Sequence, residues 1–308
     1  QAREQRVAEL ETFICAQTQA LGPFKRHVGE IGGAASPALD DSAWEDFRVG
    51  QAWGGDARRN WFRLSLTLPD WFAPGQTCLR LIPGGDRSGG GLAGFETLVY
   101  LDGAEAQGID PRHLELMLPA CWQAGETHHL AIHAYCGTYP GWKTWEVRQL
   151  LADSPEMDPN PAFREQVWQK ADLCQIDPKA EQLYYDASTA LEVIRLLEVD
   201  DYRRIAMTNA LDDAFRLLDW RAPGSPAFRA SVAQAADSLR HDLYESMDAG
   251  QAPTVIGTGH AHIDVAWLWP LQVTREKTAR TFATALHLME QYPDYVFTQS
   301  QTQLYKFI

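Results

Sequence analysis

No two cysteines in this chain stand at metal-clip spacing, no apolar run approaches the thickness of a bilayer, and basic residues are scarce. Cys15, Cys78, Cys121, Cys136 and Cys174 are odd in number and scattered. That pattern argues against a cysteine zinc site and predicts free thiols in a reducing, cytoplasmic compartment. A membrane span needs roughly 18 to 20 consecutive apolar residues, and none is present. Lys and Arg number 27 against 41 Asp and Glu, a net charge of -14 that disfavours nucleic acid and anionic membrane surfaces as partners. The polar opening Gln1-Ala2-Arg3-Glu4 carries no visible secretory signal, although the missing initiator Met leaves an already removed one open.

What is present is an ordinary globular composition, 45% hydrophobic, in 308 residues, enough for two or three packed units. Residues 1–39 read as an N-terminal helix and arm. Val7, Leu10 and Ile14 recur at helical spacing from Arg3 to about Gln19, and Gly22 to Pro37 lacks periodicity. Residues 40–153 alternate instead: Phe62, Leu64, Leu66 and Leu68 share one face, with Arg63, Ser65 and Thr67 on the other. Strands are also expected at Thr77 to Ile82, Phe95 to Leu101, His113 to Leu118 and His128 to Tyr135. The turn-rich Gly84 to Gly91 separates two of them, and Asp102-Gly103 is a hairpin signal. Short strands at this spacing predict an antiparallel β-sandwich.

Residues 154–252 read as a helical linker layer, with helices over Leu183 to Glu198, Tyr202 to Leu218 and Ala227 to Met247. Asp200 or Asp201 and Ser225-Pro226 supply helix caps. Residues 253–308 then open an α/β unit, a parallel sheet or barrel. Thr254 to Gly257 reads as an apolar strand and Thr274 to Gln291 as a helix with Ala279, Phe282, Ala283, Leu286 and Met289 inward. Tyr295 to Thr298 reads as a second strand. Such folds carry their chemistry at the C-terminal ends of strands, where His260, Ala261, His262, Ile263 and Asp264 stand. Residues two apart on an extended chain face one side, so His260, His262 and Asp264 are three candidate ligands for a divalent metal such as zinc. The bland alternative makes one histidine a packed residue and Asp264 a turn cap. Trp267 and Trp269 offer flat apolar faces for a sugar ring, or pack in a core.

The run from Gly259 to Pro270 resembles the start of the catalytic domain of family 38 glycoside hydrolases, the α-mannosidases, and most closely their cytosolic and bacterial branch. Phe297 to Gln303 is similar to the second-strand segment of that branch, and Trp44 to Gly50 with Asn60 to Arg63 resembles its N-terminal β-sandwich. The resemblance implies zinc, with cobalt as an alternative, held by His262 and Asp264. It makes Trp267 the platform for a mannose ring and leaves His260 a neighbour. It implies retaining hydrolysis of terminal α-mannosides from mannose-containing oligosaccharides, with two carboxylates about 5 to 5.5 Å apart. It also leaves a homo-oligomer of the intact parent open. The family's nucleophile, acid/base and further metal histidine belong to later segments, so no catalytic carboxylate is assigned here and residues 1–308 alone are expected to be inactive.

Two rival readings stand beside this one. In a metal-dependent amidohydrolase, His260 and His262 would both bind metal and Asp264 would be secondary. In a carbohydrate-binding or interaction module the sandwich would be the active part, with Trp44, Trp53, Trp61, Trp71, Trp142 and Trp145 as sugar platforms.

Overall fold

The computed structural model describes residues 2–54, 58–84, 95–136, 165–246, 254–265 and 271–308. Helix α1 (Ala2–Glu11) is followed by strands β1 (Cys15–Ala20), β2 (Phe24–Val28), β3 (Glu45–Phe47), β4 (Ala52–Gly54), β5 (Arg58–Thr67) and β6 (Thr77–Ile82). Then come β7 (Phe95–Leu101), β8 (Ala104–Ile109), β9 (Glu115–Met117), β10 (Thr127–Cys136), β11 (Glu165–Val167) and β12 (Lys170–Ile176). Helices α2 (Pro178–Leu196), α3 (Tyr202–Leu217) and α4 (Pro226–Arg240) lead to β13 (Gly259–His260), α5 (Leu271–Gln291) and β14 (Phe297–Thr298). Six strands form a sheet in the order β3-β2-β5-β10-β7-β8 and four form another in the order β1-β12-β6-β9. The sandwich expected from the alternating residues is present, and helices follow it. Most of the Gly84 to Gly91 turn lies outside the described residues.

By contact density the chain divides into two units. One comprises Gln1–Thr18, Trp71–Cys78 and Cys174–Val255, the other Gln19–Asp70, Leu79–Leu173 and Ile256–Ile308. In the second unit β5 and β10 pair antiparallel from Thr67 against Thr127 to Arg58 against Cys136. The apolar face of β5 supplies Phe62, whose ring meets Phe47, Trp53 and Trp168, and Phe24 stacks on Trp168 at 5.4 Å between centroids. Full burial of each such ring stabilises the fold by roughly 2 to 3 kcal/mol before entropy is counted.

The opposite face of β5 departs from the expected pattern. Arg63 sits on the side that alternation assigns to water, yet it is only 1% exposed. Its guanidinium donates to the carbonyls of Leu39 at 2.9 Å and Ser36 at 2.8 Å, and from Nε to His129 Nε2 at 3.0 Å. The Asp41 carboxylate lies 3.3 Å away. One buried cation thus fastens the 36–41 segment over the sheet. Because His129 Nε2 accepts, the ring is neutral, and burial together with the Arg63 charge lowers its pKa.

Strand β2 lies where the sequence shows an aperiodic arm. Beyond buried Phe24 it is held by polar side chains: Lys25 pairs with Asp46, Arg26 with Glu45, and Arg26 also donates to Asn60. An apolar count cannot see such a strand. Two further strands, β11 and β12, stand inside the stretch read as helical.

Helix α5 packs on β7 and β8, and the expected inward face is met only in part: Ala283 is buried and Phe282 meets Phe297 and Tyr305. Leu286 is 60% exposed, whereas Thr274, Thr278 and Arg280 are buried. The cause is Glu96 on β7, which pairs with both Lys277 and Arg280. Burial pushes the Glu96 carboxyl up, but the Arg280 and Lys277 charges outweigh it and hold the group below the usual carboxylate range. Arg59 meets Glu276 at 2.7 Å beside this cluster. The Gly108 N–H donates to the Thr284 hydroxyl at 3.1 Å, and a Cβ on Gly108 would press on Arg280 Cβ at 3.2 Å. The helix therefore lies close to backbone and buries small and ion-paired residues.

The other unit is helical. Leu10, Leu183, Leu211, Phe228, Val232 and Leu239 form its core, and Asp177, Asp201 and Ser225 cap α2, α3 and α4 through their side-chain oxygens. Helix α1 stops at Glu11, short of the expected Gln19, because the Thr12 hydroxyl takes the Glu9 carbonyl at 2.7 Å and Phe13 turns onto Phe228 and Trp220. The chain then enters β1. Cys15 is disulfide-bonded to Cys174, which corrects the expectation that all five cysteines are free thiols. No described helix is long and apolar enough to cross a membrane.

Two outcomes follow from the polar contacts. Glu96→Gln leaves Lys277 and Arg280 facing an amide and is expected to cost about 2 kcal/mol in urea unfolding at pH 7. Since the folded pKa lies below the ordinary 4.5, that difference is present above 4.5 and vanishes as pH falls through the folded value. For His129 the folded pKa lies below the ordinary 6.5, so its contribution is complete above 6.5 and is lost as pH falls through the folded value. His129→Gln, which keeps an acceptor for Arg63, removes that part of the acid loss when unfolding is compared between about pH 5 and 7.

Candidate active site

The expected strand at Thr254 to Gly257 is not a strand; Val255 and Ile256 are 85% and 87% exposed. An apolar run becomes a strand only where another strand takes up its N–H and C=O groups. Here the partner is β14, parallel to β13, with Gly259 opposite Phe297 and His260 opposite Thr298. Gly259 donates to the Val296 carbonyl at 2.7 Å. A Cβ at this position would lie 2.4 Å from the Tyr295 hydroxyl and 3.0 Å from Tyr295 Cζ, so any larger residue must push the Tyr295 ring aside.

Past His260, side chains take over from the backbone ladder. The Thr298 hydroxyl donates to the Gly259 carbonyl at 3.3 Å, and the Gln299 carboxamide to the Ala261 carbonyl at 2.7 Å. Gln301 donates to the Ile263 carbonyl at 2.7 Å and accepts from the Ile263 N–H at 3.2 Å. The Thr274 hydroxyl, from the start of α5, donates to the Asp264 carbonyl at 3.2 Å. Capture of the carbonyls of residues 259, 261 and 263 along one edge is the spacing of an extended chain, which turns alternate side chains to a common face.

That face holds the expected pair. His262 Nε2 lies 3.2 Å from Asp264 Oδ1, with the side chains 76% and 42% exposed, while Ile263 between them is 5% exposed. His260 is exposed and takes no part in this contact. An imidazole nitrogen and a carboxylate oxygen are donors that zinc takes. Two bonds of about 2.1 Å at a tetrahedral angle place such atoms roughly 3.4 Å apart, so the observed separation fits two corners of a metal site. Among the described residues, no three His, Cys, Asp or Glu side chains are gathered as a metal-binding group.

Trp267 and Trp269, the expected sugar faces, lie outside the described residues, as do Trp142 and Trp145. Of the sandwich tryptophans, Trp53 and Trp61 are 1% and 7% exposed, and the Arg63 guanidinium lies 5.5 Å from the Trp44 ring centroid. These three rings are occupied by packing. Sequence reasoning singled out His262 and Asp264 but not Thr274, Tyr295, Gln299 or Gln301. The last two lie within the run Phe297 to Gln303 that carries the family resemblance, two residues apart after a strand.

Comparison with known proteins adds two matches. Residues 252–308 match the glycosyl hydrolases family 38 N-terminal domain, and residues 33–174 match the α-mannosidase jelly roll domain. The chain is 26% identical to human Alpha-mannosidase 2C1 over 266 residues, covering 85% of this chain and 24% of the human protein. It is 30% identical to an α-mannosidase of Saccharomyces cerevisiae over 149 residues, 45% of this chain and 13% of that protein. The chain thus spans a quarter or less of the length of these relatives. Among solved structures, a Bacteroides uniformis β-glucuronidase aligns with 51% of this chain and 17% of its own at 18% identity, with a TM-score of 0.36.

Gly259→Ala tests the close contact. The added methyl displaces Tyr295 and is expected to cost about 1 to 3 kcal/mol in thermal unfolding. Tyr295→Leu in the same chain should recover part of that loss.

Proposed function

With a family 38 glycoside hydrolase N-terminal segment and an α-mannosidase jelly-roll segment in one chain, we propose that it is part of a metal-dependent retaining α-mannosidase. The substrate is a terminal α-mannoside of a mannose-containing oligosaccharide. The observation that carries the reading is the adjacent exposed pair, His262 and Asp264, at a strand end inside the family 38 segment. These two residues would hold zinc, or cobalt in its place. The bound metal supplies a Lewis-acid contact for sugar hydroxyls.

The chain's own residues perform the rest of this part of the site. Imidazole Nε2 and carboxylate Oδ1 meet on one side of the strand end, where a bound metal would take the place of the proton between them, and buried Ile263 holds the backbone between the two residues. Trp267 is assigned the apolar face of the sugar ring, where an indole lies against C–H bonds and leaves the hydroxyls to polar partners. The nucleophile and acid/base are assigned to no residue of this chain. A cytoplasmic location belongs to the same proposal and rests on the acidic charge, since the Cys15–Cys174 bond removes the cysteine argument.

Alanine substitutions separate this reading from the amidohydrolase one. His262→Ala and Asp264→Ala are each expected to weaken cobalt(II) binding to the chain by more than about tenfold, with His260→Ala close to wild type. Loss on changing His260 but not Asp264, read by the cobalt absorption spectrum, would reverse the assignment. Residues 1–308 alone are expected to release no nitrophenol from a nitrophenyl α-mannoside above the metal-free control. Turnover there would place the catalytic carboxylates within this chain.

A further inference from the structure

The backbone pairing of β13 with β14 ends after two residue pairs, yet the chain stays extended to Asp264. The β14 side leaves the extended path a few residues later. Residues after Gln301 turn into a 3-10 helix, Leu304–Lys306, with Leu304 N–H already bonded back to the Gln301 carbonyl at 3.0 Å. A backbone that curls away cannot keep offering N–H and C=O groups to its neighbour. Two glutamine side chains make the next contacts along this edge.

We propose that Gln299 and Gln301 are the positioning residues of the His262–Asp264 pair, with the Gln301 carboxamide standing in for the peptide group that the ladder lacks. The proposal rests on the metal reading above for its purpose, though not for its geometry. Gln301 makes both bonds that a paired peptide would make, accepting from the Ile263 N–H at 3.2 Å and donating to the Ile263 carbonyl at 2.7 Å. Only a carboxamide carries a donor and an acceptor side by side in this way. Glutamate matches its length but sets a second acceptor against the Ile263 carbonyl. Asparagine keeps the chemistry but is one methylene short.

Gln299 steadies this arrangement. It is 9% exposed, its Nε2 holds the Ala261 carbonyl at 2.7 Å, and its Oε1 accepts from the Gln301 N–H at 3.0 Å. The Gln299 carbonyl in turn takes the Tyr305 hydroxyl at 3.2 Å. With the peptide groups at 261 and 263 fixed along one edge, rotation about residues 262 and 264 is restrained, and their side chains meet on one face. The exposed contact itself is too weak to do this, because even an ion pair open to water is worth only about 0 to 1 kcal/mol. The amides therefore hold the pair.

The test uses the full chain and two readouts. Histidine 15N NMR reports which ring nitrogen of His262 carries the proton. Bonding to the Asp264 carboxylate keeps it on Nε2, so wild type should show that tautomer beyond the majority share it already has in free histidine. Gln301→Glu and Gln301→Asn should both relax the ring toward the mixture seen in free histidine and weaken cobalt(II) binding by about tenfold or more. Gln303→Glu, which adds the same charge as Gln301→Glu at an exposed neighbour, should leave both readouts unchanged. Wild-type tautomer and cobalt affinity in both Gln301 variants would overturn the proposal. A wild type that takes up no cobalt while its tautomer still responds to Gln301 would sink the metal reading and leave the positioning role standing.

Discussion

A carboxylate on the jelly-roll sheet governs how the C-terminal part of this chain is built. Glu96 draws Lys277 and Arg280 onto β7, Arg59 takes Glu276 from the same helix, and the Gly108 backbone meets Thr284 one turn further along. A helix seated by four such contacts is fixed about its axis, with Phe282 against Phe297 and Tyr305 and Leu286 left in water. The seat extends to the candidate site. Thr274, in the first turn of that helix, holds the carbonyl of Asp264. The sandwich therefore has a structural relation to the His262–Asp264 pair that needs no sugar-binding role of its own.

The parts of the fold that were legible in the sequence are those stabilised by apolar burial. Phe62 and Leu66 alternate on β5 and are buried, and the caps at Asp201 and Ser225 bond as their residue types suggest. What escaped was held by charge or by backbone. Strand β2 is secured through Lys25 and Arg26, and Arg63 is hidden under a segment whose carbonyls it reads. The Cys15–Cys174 bond joins residues far apart in sequence, a pairing that spacing cannot show. Periodicity counts apolar side chains and is blind to such partners.

The candidate site divides in the same way. His262 and Asp264 were legible because metal-ligand chemistry limits which residues can occur two apart on a strand. Their supports were not, because an amide bonding to a backbone can come from almost any polar residue at almost any distance in sequence. The strand itself was misplaced toward Val255 and Ile256, where the apolar residues are, while the hydrogen-bonding partner lies level with Gly259. Apolar character and strand pairing usually coincide, and here Val255 and Ile256 are neither buried nor paired.

Arg63 has one further consequence. Its two outward bonds go to the main-chain oxygens of Ser36 and Leu39, atoms that every amino acid carries. The clamp is therefore indifferent to side-chain identity at those positions and sensitive to insertions or deletions that would move the oxygens. The side chains at positions 36 and 39 are free to change over generations while the segment keeps its length and Asp41 its carboxylate beside the guanidinium.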